Sequence, residues 1–409
     1  MNNSWKKNVI LFLTTQTISL LGSSLVQYAI MWYITLQTQS GTAMTISIIC
    51  GFLPTLFLSP FAGVWADRYD RKKLIVISDS FIAISTLILA ILFINGYDSI
   101  WLLYLTSAIR ALGSAIQTPS INAFIPQLVP EDKLTKVNAT NGSIQALVML
   151  ASPMLSGALL TVATIEAIFF IDVVTAAIAV SILALFLHVP VHAKALEKQE
   201  TSYLTDMKEG LKYIRNHKFL KEYFIYCAFF FILAAPVSFL TPLQVTRNFG
   251  DDVWRLTAIE VTFSIGMMIG GGVMAAWGGF KNRVYTMIVS TLVMALCTIA
   301  LGIVPSFWVY ISFFCLFGIV MPMFNTPSTV LLQEKIEGEF LGRVFSVLSM
   351  ISSIMMPLGM LVFGPMADYV AIEKMLIGTG VLMFIEGLIM RGSKVLIKAG
   401  EAKELATDN

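Results

Sequence analysis

Four ionisable residues stand inside long apolar runs: Asp79, Arg110, Asp172 and Glu260. Arg110 is about ten residues from the nearest polar boundary, roughly 15 Å deep if the run is helical at about 1.5 Å per residue. Asp172 and Glu260 each sit about seven residues from one boundary, and Asp79 about five from the opposite one. A charge near the centre of a bilayer costs about 2.5–3.5 kcal/mol on insertion scales, so such residues turn toward a partner or a wet cavity. Two kinds of chemistry suit this set. A carboxyl whose access to water and distance from a cation both change can take up a proton and release it. Asp172 and Glu260 are the candidates, with Arg110 as the cation and Asp79 as a further acid. The other reading is a static pair, Arg110 with one acid, that ties helices together. Spacing by itself leaves both open. Glu386 lies near the end of the last apolar run, within reach of water, and Glu166 belongs to an outer loop.

Other chemistries fit poorly. His188 and His192 are four apart, but Pro190 between them breaks the helix that a metal pair at this spacing needs. Cys50, Cys227, Cys297 and Cys315 all lie in apolar stretches and read as small core residues. No Ser-His-Asp spacing appears. Gly266, Gly270, Gly271 and Gly272 have no strand before them and no Lys-Ser/Thr after them, so they suggest close helix packing and not a nucleotide loop. The expectation is therefore no catalytic, cofactor-binding or metal-binding residue. With no room for an ATP-binding domain, an ion gradient, the proton gradient foremost, is the expected energy source.

The surrounding composition dictates what positions these groups. The chain has 409 residues, 57% of them apolar and 13% charged, with mean hydropathy +0.80. Soluble domains carry about 25% charged residues, which excludes a cytosolic enzyme. Lys and Arg number 27 against 25 Asp and Glu, too even a balance to suggest a nucleic-acid partner. Twelve segments are apolar over the roughly 20 residues that cross a hydrocarbon core. They are approximately 8–37, 42–66, 74–95, 100–124, 138–162, 165–188, 221–246, 253–278, 284–304, 307–332, 342–364 and 370–391. The first is too long for the apolar region of a cleavable leader and is expected to remain as a span. With both termini in the cytoplasm, only Arg247, Arg255 and Lys374 fall outside, Arg110 falls within the membrane, and the other basic residues fall inside. That is the asymmetry the positive-inside rule expects.

The expected fold is all-α: an integral membrane protein whose twelve transmembrane helices form two pseudo-symmetric six-helix bundles. Residues 1–188 make the first bundle and 221–391 the second. The segment 189–220 is a cytoplasmic linker in which Leu204, Met207, Leu211 and Ile214 repeat at helical spacing among basic residues, as in a helix lying on the membrane face or a solvated linker with some helix. Residues 392–409 are expected as a mobile polar tail. The bundles look duplicated. Thr118-Pro119-Ser120 recurs as Thr326-Pro327-Ser328, Arg71-Lys72-Lys73 has a counterpart in Lys281-Asn282-Arg283, and Pro153 has one in Pro357. Such repeats place a substrate near the midplane, between halves that rock around it.

Between the second and third segments the chain reads Gly63-Val64-Trp65-Ala66-Asp67-Arg68-Tyr69-Asp70-Arg71-Lys72-Lys73. This resembles the signature loop of the major facilitator superfamily, departing at Asp70, where the family usually has Gly and where Asp is expected to stiffen the turn. Gly63 is expected to let helices approach closely. The resemblance implies a cytoplasmic gate in which Asp67 meets Arg343 and Arg71 meets an acidic neighbour, with Gly63 and Arg68 completing it. The alternative is that Arg68 and the following basic residues only set topology. Arg110-Ala111-Leu112-Gly113, Gln117-Thr118-Pro119-Ser120, Ile171-Asp172-Val173 and Leu341-Gly342-Arg343-Val344-Phe345-Ser346 are similar to the macrolide-efflux branch of drug exporters. The exporter run Gly-Pro-x-x-Gly-Gly is only partly kept, at Pro153 and Gly157.

That resemblance implies proton-coupled efflux of a hydrophobic or amphiphilic small molecule from a bacterial cell membrane. It also implies a cavity lined by the first, fourth, seventh and tenth helices, where Gln27, Tyr28, Gln117, Tyr226 and Asn325, with Gln16, Asn122 and Gln244, offer polar groups. Phe229-Phe230-Phe231 add aromatic surface suited to a bulky ligand. An exporter of a lipid, siderophore or other amphiphilic metabolite is the first alternative. A membrane sensor that binds ligand without moving it is the second.

Overall fold

The computed structural model describes residues 4–187 and 212–401. The linker residues 188–211, with His188, His192 and most of the amphipathic repeat, lie outside the described residues. So do the side chains of residues 60, 64, 67, 131, 338 and 339. The described chain is helical throughout, without a strand. Six long helices come first: α1 Ser4–Thr38, α2 Gly41–Arg68, α3 Arg71–Ile94, α4 Ile100–Leu128, α5 Glu131–Val162 and α6 Ile165–Phe186. The second set is α7 Lys218–Phe239, α8 Thr241–Phe249, α9 Val253–Trp277, α10 Arg283–Leu301, α11 Phe307–Lys335, α12 Gly338–Met366 and α13 Ile372–Gly392, followed by a short α14, Lys394–Ala399.

Ten stretches are long and apolar enough to cross a membrane, with α7 and α8 counted as one span, Lys218–Phe249. The two remaining long helices are α4 and α13, of 29 and 21 residues. Ionisable residues interrupt their apolar runs, Arg110 in α4 and Glu373, Lys374 and Glu386 in α13. With these two the described residues hold twelve long helical spans. The seventh differs from a single rod: Pro236 lies inside α7, Pro242 opens α8, and the helix breaks at Leu240.

Two compact units result. One comprises Met1–Gln39, Ile46–Glu200 and Asp252–Thr257; the other comprises Ser40–Thr45, Thr201–Asp251 and Ala258–Asn409. In the first, α3 packs on α4 and α6, while α1 packs on α5 and α6. In the second, α10 packs on α11 and α13, while α7 packs on α12 and α13. Each unit therefore pairs its third helix with its fourth and sixth, and its first with its fifth and sixth. The Thr-Pro-Ser triplets occupy the fourth helix of each, α4 and α11, with Ser120 and Ser328 both buried.

Small residues set several of these approaches. A Cβ at Gly266 would collide with the Cys315 carbonyl of α11, and one at Gly270 with that of Ile319. This is the close packing the glycine run implies. Gly271 and Gly272 face open space, so only half of the run serves it. At Gly63 an added Cβ would meet nothing within 4 Å among the described residues. Asp70, the departure from the signature loop, caps α3 by accepting from the backbone N–H of Lys72 at 3.0 Å. Asn282 does the same for α10 through Val284. The four cysteines are free, Cys227 and Cys297 buried and the others half-buried.

Where it is described, the tail is helical at Lys394–Ala399 and packed. Leu396 of α14 is wholly buried, Asn282 Nδ2 donates to the Ile397 carbonyl at 2.8 Å, and Lys335 Nζ donates to the Glu401 carbonyl at 3.0 Å. A leucine that can reach a core wins over the polar composition around it. Within 212–216, Tyr213 stacks on Phe340 with ring centroids 4.2 Å apart.

Candidate functional site

Inside the first unit, polar residues recur every seven positions on three apolar helices. On α1 they are Gln16 and Ser23, with Ser19 between; on α3, Asp79 and Thr86; on α4, Arg110 and Gln117. Seven residues are two helical turns, so each helix presents two polar levels about 10 Å apart. Asp172 joins from α6.

The first level is an ion pair. Arg110 Nη1 donates to Asp172 Oδ2 at 2.5 Å, with the carboxylate fully buried and the arginine 9% exposed. Thr86 Oγ1 lies 3.1 Å from the same oxygen and also accepts from Arg110. Ser23 Oγ donates to Asp172 Oδ1 at 3.1 Å, and Arg110 Nη2 donates to the Ser23 carbonyl at 3.1 Å. Thr86 has one proton and two acceptors in reach, Asp172 Oδ2 and the Ile82 carbonyl, each at 3.1 Å. It can serve only one at a time. Gly22 makes the arrangement possible, since a Cβ there would collide with Thr175 Oγ1 and press on the Asp172 backbone, 3.1 Å away.

The second level centres on Asp79, 2% exposed. Ser19 Oγ donates to its Oδ1 at 2.9 Å and Gln117 Nε2 at 2.5 Å, while Oδ2 takes no hydrogen bond. No arginine or lysine pairs with it among the described residues. The two levels thus hold one compensated carboxylate and one uncompensated carboxyl on the same helix seam. A buried ion pair of this kind is costly to break: removing one partner costs about 3–5 kcal/mol, because the other charge is left bare.

The structure separates the other sequence-derived candidates. Glu260 belongs to the second unit and makes no hydrogen bond or ion pair with a described residue. Gln117 is engaged by Asp79. Gln244 is a strut instead of a lining group: its amide donates to the Leu301 carbonyl and accepts from Tyr310 Oη, both at 2.8 Å. Gln27, Asn122 and Asn325 are exposed, and Tyr28 packs on Trp32. Tyr226 lines a small cavity beside Glu386.

Of the gate residues, Arg68 is exposed, and the Asp67 side chain lies outside the described residues. Arg71 donates to the carbonyls of Ala66 and Ala123, each at 2.8 Å, so it stitches the end of α2 to α4. Arg343 lies over the Phe340 ring at 5.5 Å.

Sequence reasoning missed Ser19, Ser23, Thr86 and Gly22. The seven-residue recurrence of polar groups is the signal that finds Ser23 and Thr86, and Ser19 lies at helical spacing between Gln16 and Ser23. It also missed Asp368, which follows α12. This carboxylate caps α2, accepting from the backbone N–H of Gly41 at 2.6 Å and of Thr42 at 3.0 Å, from Ser40 Oγ at 3.0 Å and from Thr42 Oγ1 at 2.5 Å. Arg247 Nη2 stands 3.6 Å from it. Burial works against the charged form of Asp368, but the Thr42, Gly41 and Ser40 donors more than offset that and hold its carboxyl below the usual range.

Known proteins share this architecture. A macrolide efflux protein A from Streptococcus pyogenes is 30% identical over 389 residues, 95% of this chain and 96% of its own. A staphyloferrin A transporter from Staphylococcus aureus is 26% identical over 374 residues, 89% of this chain and 90% of its own. The crystal structure of a bacterial homologue of the lysosomal transporter Spinster, inward-facing and unoccupied, superposes with TM-score 0.71 at 14% identity, over 98% of this chain and all of that one. These neighbours are transporters, not enzymes, and they give the sensor reading no support. The Major Facilitator Superfamily profile matches residues 12–360, and the chain belongs to that family of membrane transporters.

Proposed function

We propose that the protein exports hydrophobic drugs of the macrolide kind, driven by the proton gradient, by alternating access, with both termini in the cytoplasm. The observation that carries this reading is the buried Arg110–Asp172 pair, held by hydroxyls from two further helices in a chain 30% identical to a macrolide efflux protein. Asp172 is the carrier. Its affinity for a proton depends on how closely Arg110 and water approach it, and the Thr86 hydroxyl, with its choice of acceptors, lets that contact loosen without leaving an unpaired donor. Asp79 offers a second carboxyl on the same seam.

Efflux of a labelled macrolide from loaded cells tests this directly. Wild-type efflux is expected to collapse with a protonophore and to be lost in Asp172→Asn at normal expression. Undiminished efflux in Asp172→Asn would remove Asp172 from the mechanism. The staphyloferrin A relative favours a second reading, export of an amphiphilic metabolite by the same machinery. It is separated from the first by a substrate panel run on the same cells.

A further inference from the structure

The sixth helix of each unit carries a buried acid. Asp172 on α6 has its arginine; Glu386 on α13 has none. Glu386 is 9% exposed, and neither carboxyl oxygen completes a hydrogen bond. It faces a small cavity that α7, α10 and α11 close with Tyr223, Tyr226, Phe230, Met287 and Phe324. The titratable groups that line the cavity are neutral or acidic; α14, packed against α7 and α13, carries Lys394 and Lys398, and neither lines it. From α7 come the Tyr223 and Tyr226 hydroxyls, the Cys227 thiol and, in the first turns of the helix, Glu222. Tyr223 is occupied with Ser328 of α11, and Glu222 accepts from Ser393 at 2.7 Å. From α10, Thr291 gives its proton to the Met287 carbonyl. No lysine or arginine lines the cavity, and Glu386 forms no ion pair with a described residue.

A bare carboxylate here would have no cation to offset its charge, only the neighbouring Phe230 backbone, in a low-dielectric wall of rings and thioethers, which makes the charged form costly. The occupant must therefore be positive. The cavity, about 10 Å³, admits at most about one water. A calcium or magnesium ion needs six or more oxygen ligands, and a single carboxyl supplies two. The cation that fits is the proton.

We propose that Glu386 is a proton-binding site of the second unit, built separately from the Arg110–Asp172 pair and opening on the small aromatic cavity of α7, α10, α11 and α13. Its physiological meaning rests on the transporter reading, but its existence does not, so the test uses no transport. Infrared difference spectra of the purified, reconstituted protein are recorded between about pH 5 and pH 9, the range that buried carboxyls span. The wild type is expected to show a protonated-carboxyl C=O band that fades as pH rises. One component of that band should persist in Asp172→Asn, Asp79→Asn and Glu260→Gln and be absent from Glu386→Gln. Glu386→Asp, which keeps the group on a shorter arm, should shift the band instead of abolishing it, and it stands in if the glutamine variant fails to fold. Superimposable spectra from wild type and Glu386→Gln, or an unshifted band in Glu386→Asp, would overturn the proposal. Failure of macrolide efflux in cells would leave it standing.

Discussion

At the residue scale, the question is whether Arg110 and Asp172 serve transport or only hold four helices together. The two roles differ in what a neutral replacement does. Arg110→Ala or Asp172→Asn alone leaves the partner charge buried and should cost about 3–5 kcal/mol, seen as a lower Tm. The double variant Arg110→Met with Asp172→Leu removes both charges at similar volume. It should recover stability to near or above the wild type, because exchanging a buried pair for apolar groups is often neutral, and Thr86 can fall back on the Ile82 carbonyl. Efflux should stay lost. A double variant that both folds and exports would make the pair a structural tie. The charged partners were legible in the sequence because an arginine in hydrocarbon demands an acid. Their hydroxyl partners were not, since Ser and Thr in helices bond back to their own turns and look innocuous. The Gln117–Asp79 contact was not legible for a similar reason, as an amide in an apolar run does not announce whether it faces a ligand or a carboxyl. Glu386 was set aside because counting residues from a helix end cannot show that neighbouring rings seal it from water.

At the element scale, the helices were legible because twelve apolar runs admit little else in a bilayer, where every backbone group must be satisfied internally. What ties their ends was not. Asp368 is 327 residues from Gly41, and nothing local links them. Asp368→Ala should remove the cap of α2 and cost about 1–2 kcal/mol, measured by thermal unfolding in detergent. Because the folded carboxyl titrates below its ordinary value, this contribution is fully present above about pH 4 and disappears only as pH falls through the lower folded value. The Tm difference between Asp368→Ala and wild type should therefore be flat from mildly acid to neutral pH. A difference that grows between neutral and mildly acid pH would mean another group is responsible. The glycines of α9 make a sharper contrast. Gly270→Val must push α9 away from the Ile319 backbone, whereas Gly271→Val faces open space. The first should lower Tm by several degrees and the second should leave it unchanged. Equal effects would contradict the close packing.

At the scale of the whole molecule, the helix pairing repeats: third with fourth and sixth, first with fifth and sixth, in each unit. The three short matches in sequence pointed to this duplication, and the pairing gives it physical form. The sixth helices of the two units differ, with a compensated acid on α6 and an unpaired acid on α13, which the repeat itself does not reveal. The tail also escaped the sequence, because one buried leucine and two backbone carbonyls are enough to dock α14. Leu396→Ala should cost about 2–5 kcal/mol if that docking is part of the fold.

The central claim is that drug movement and proton movement are one process. The direct measurement is proton flux in proteoliposomes carrying a pH-sensitive dye, with and without a macrolide on one side, for wild type and Asp172→Asn. Macrolide-dependent proton movement in the opposite direction is expected for the wild type and none for Asp172→Asn. Macrolide transport with no accompanying proton flux, or equal flux in Asp172→Asn, would contradict it.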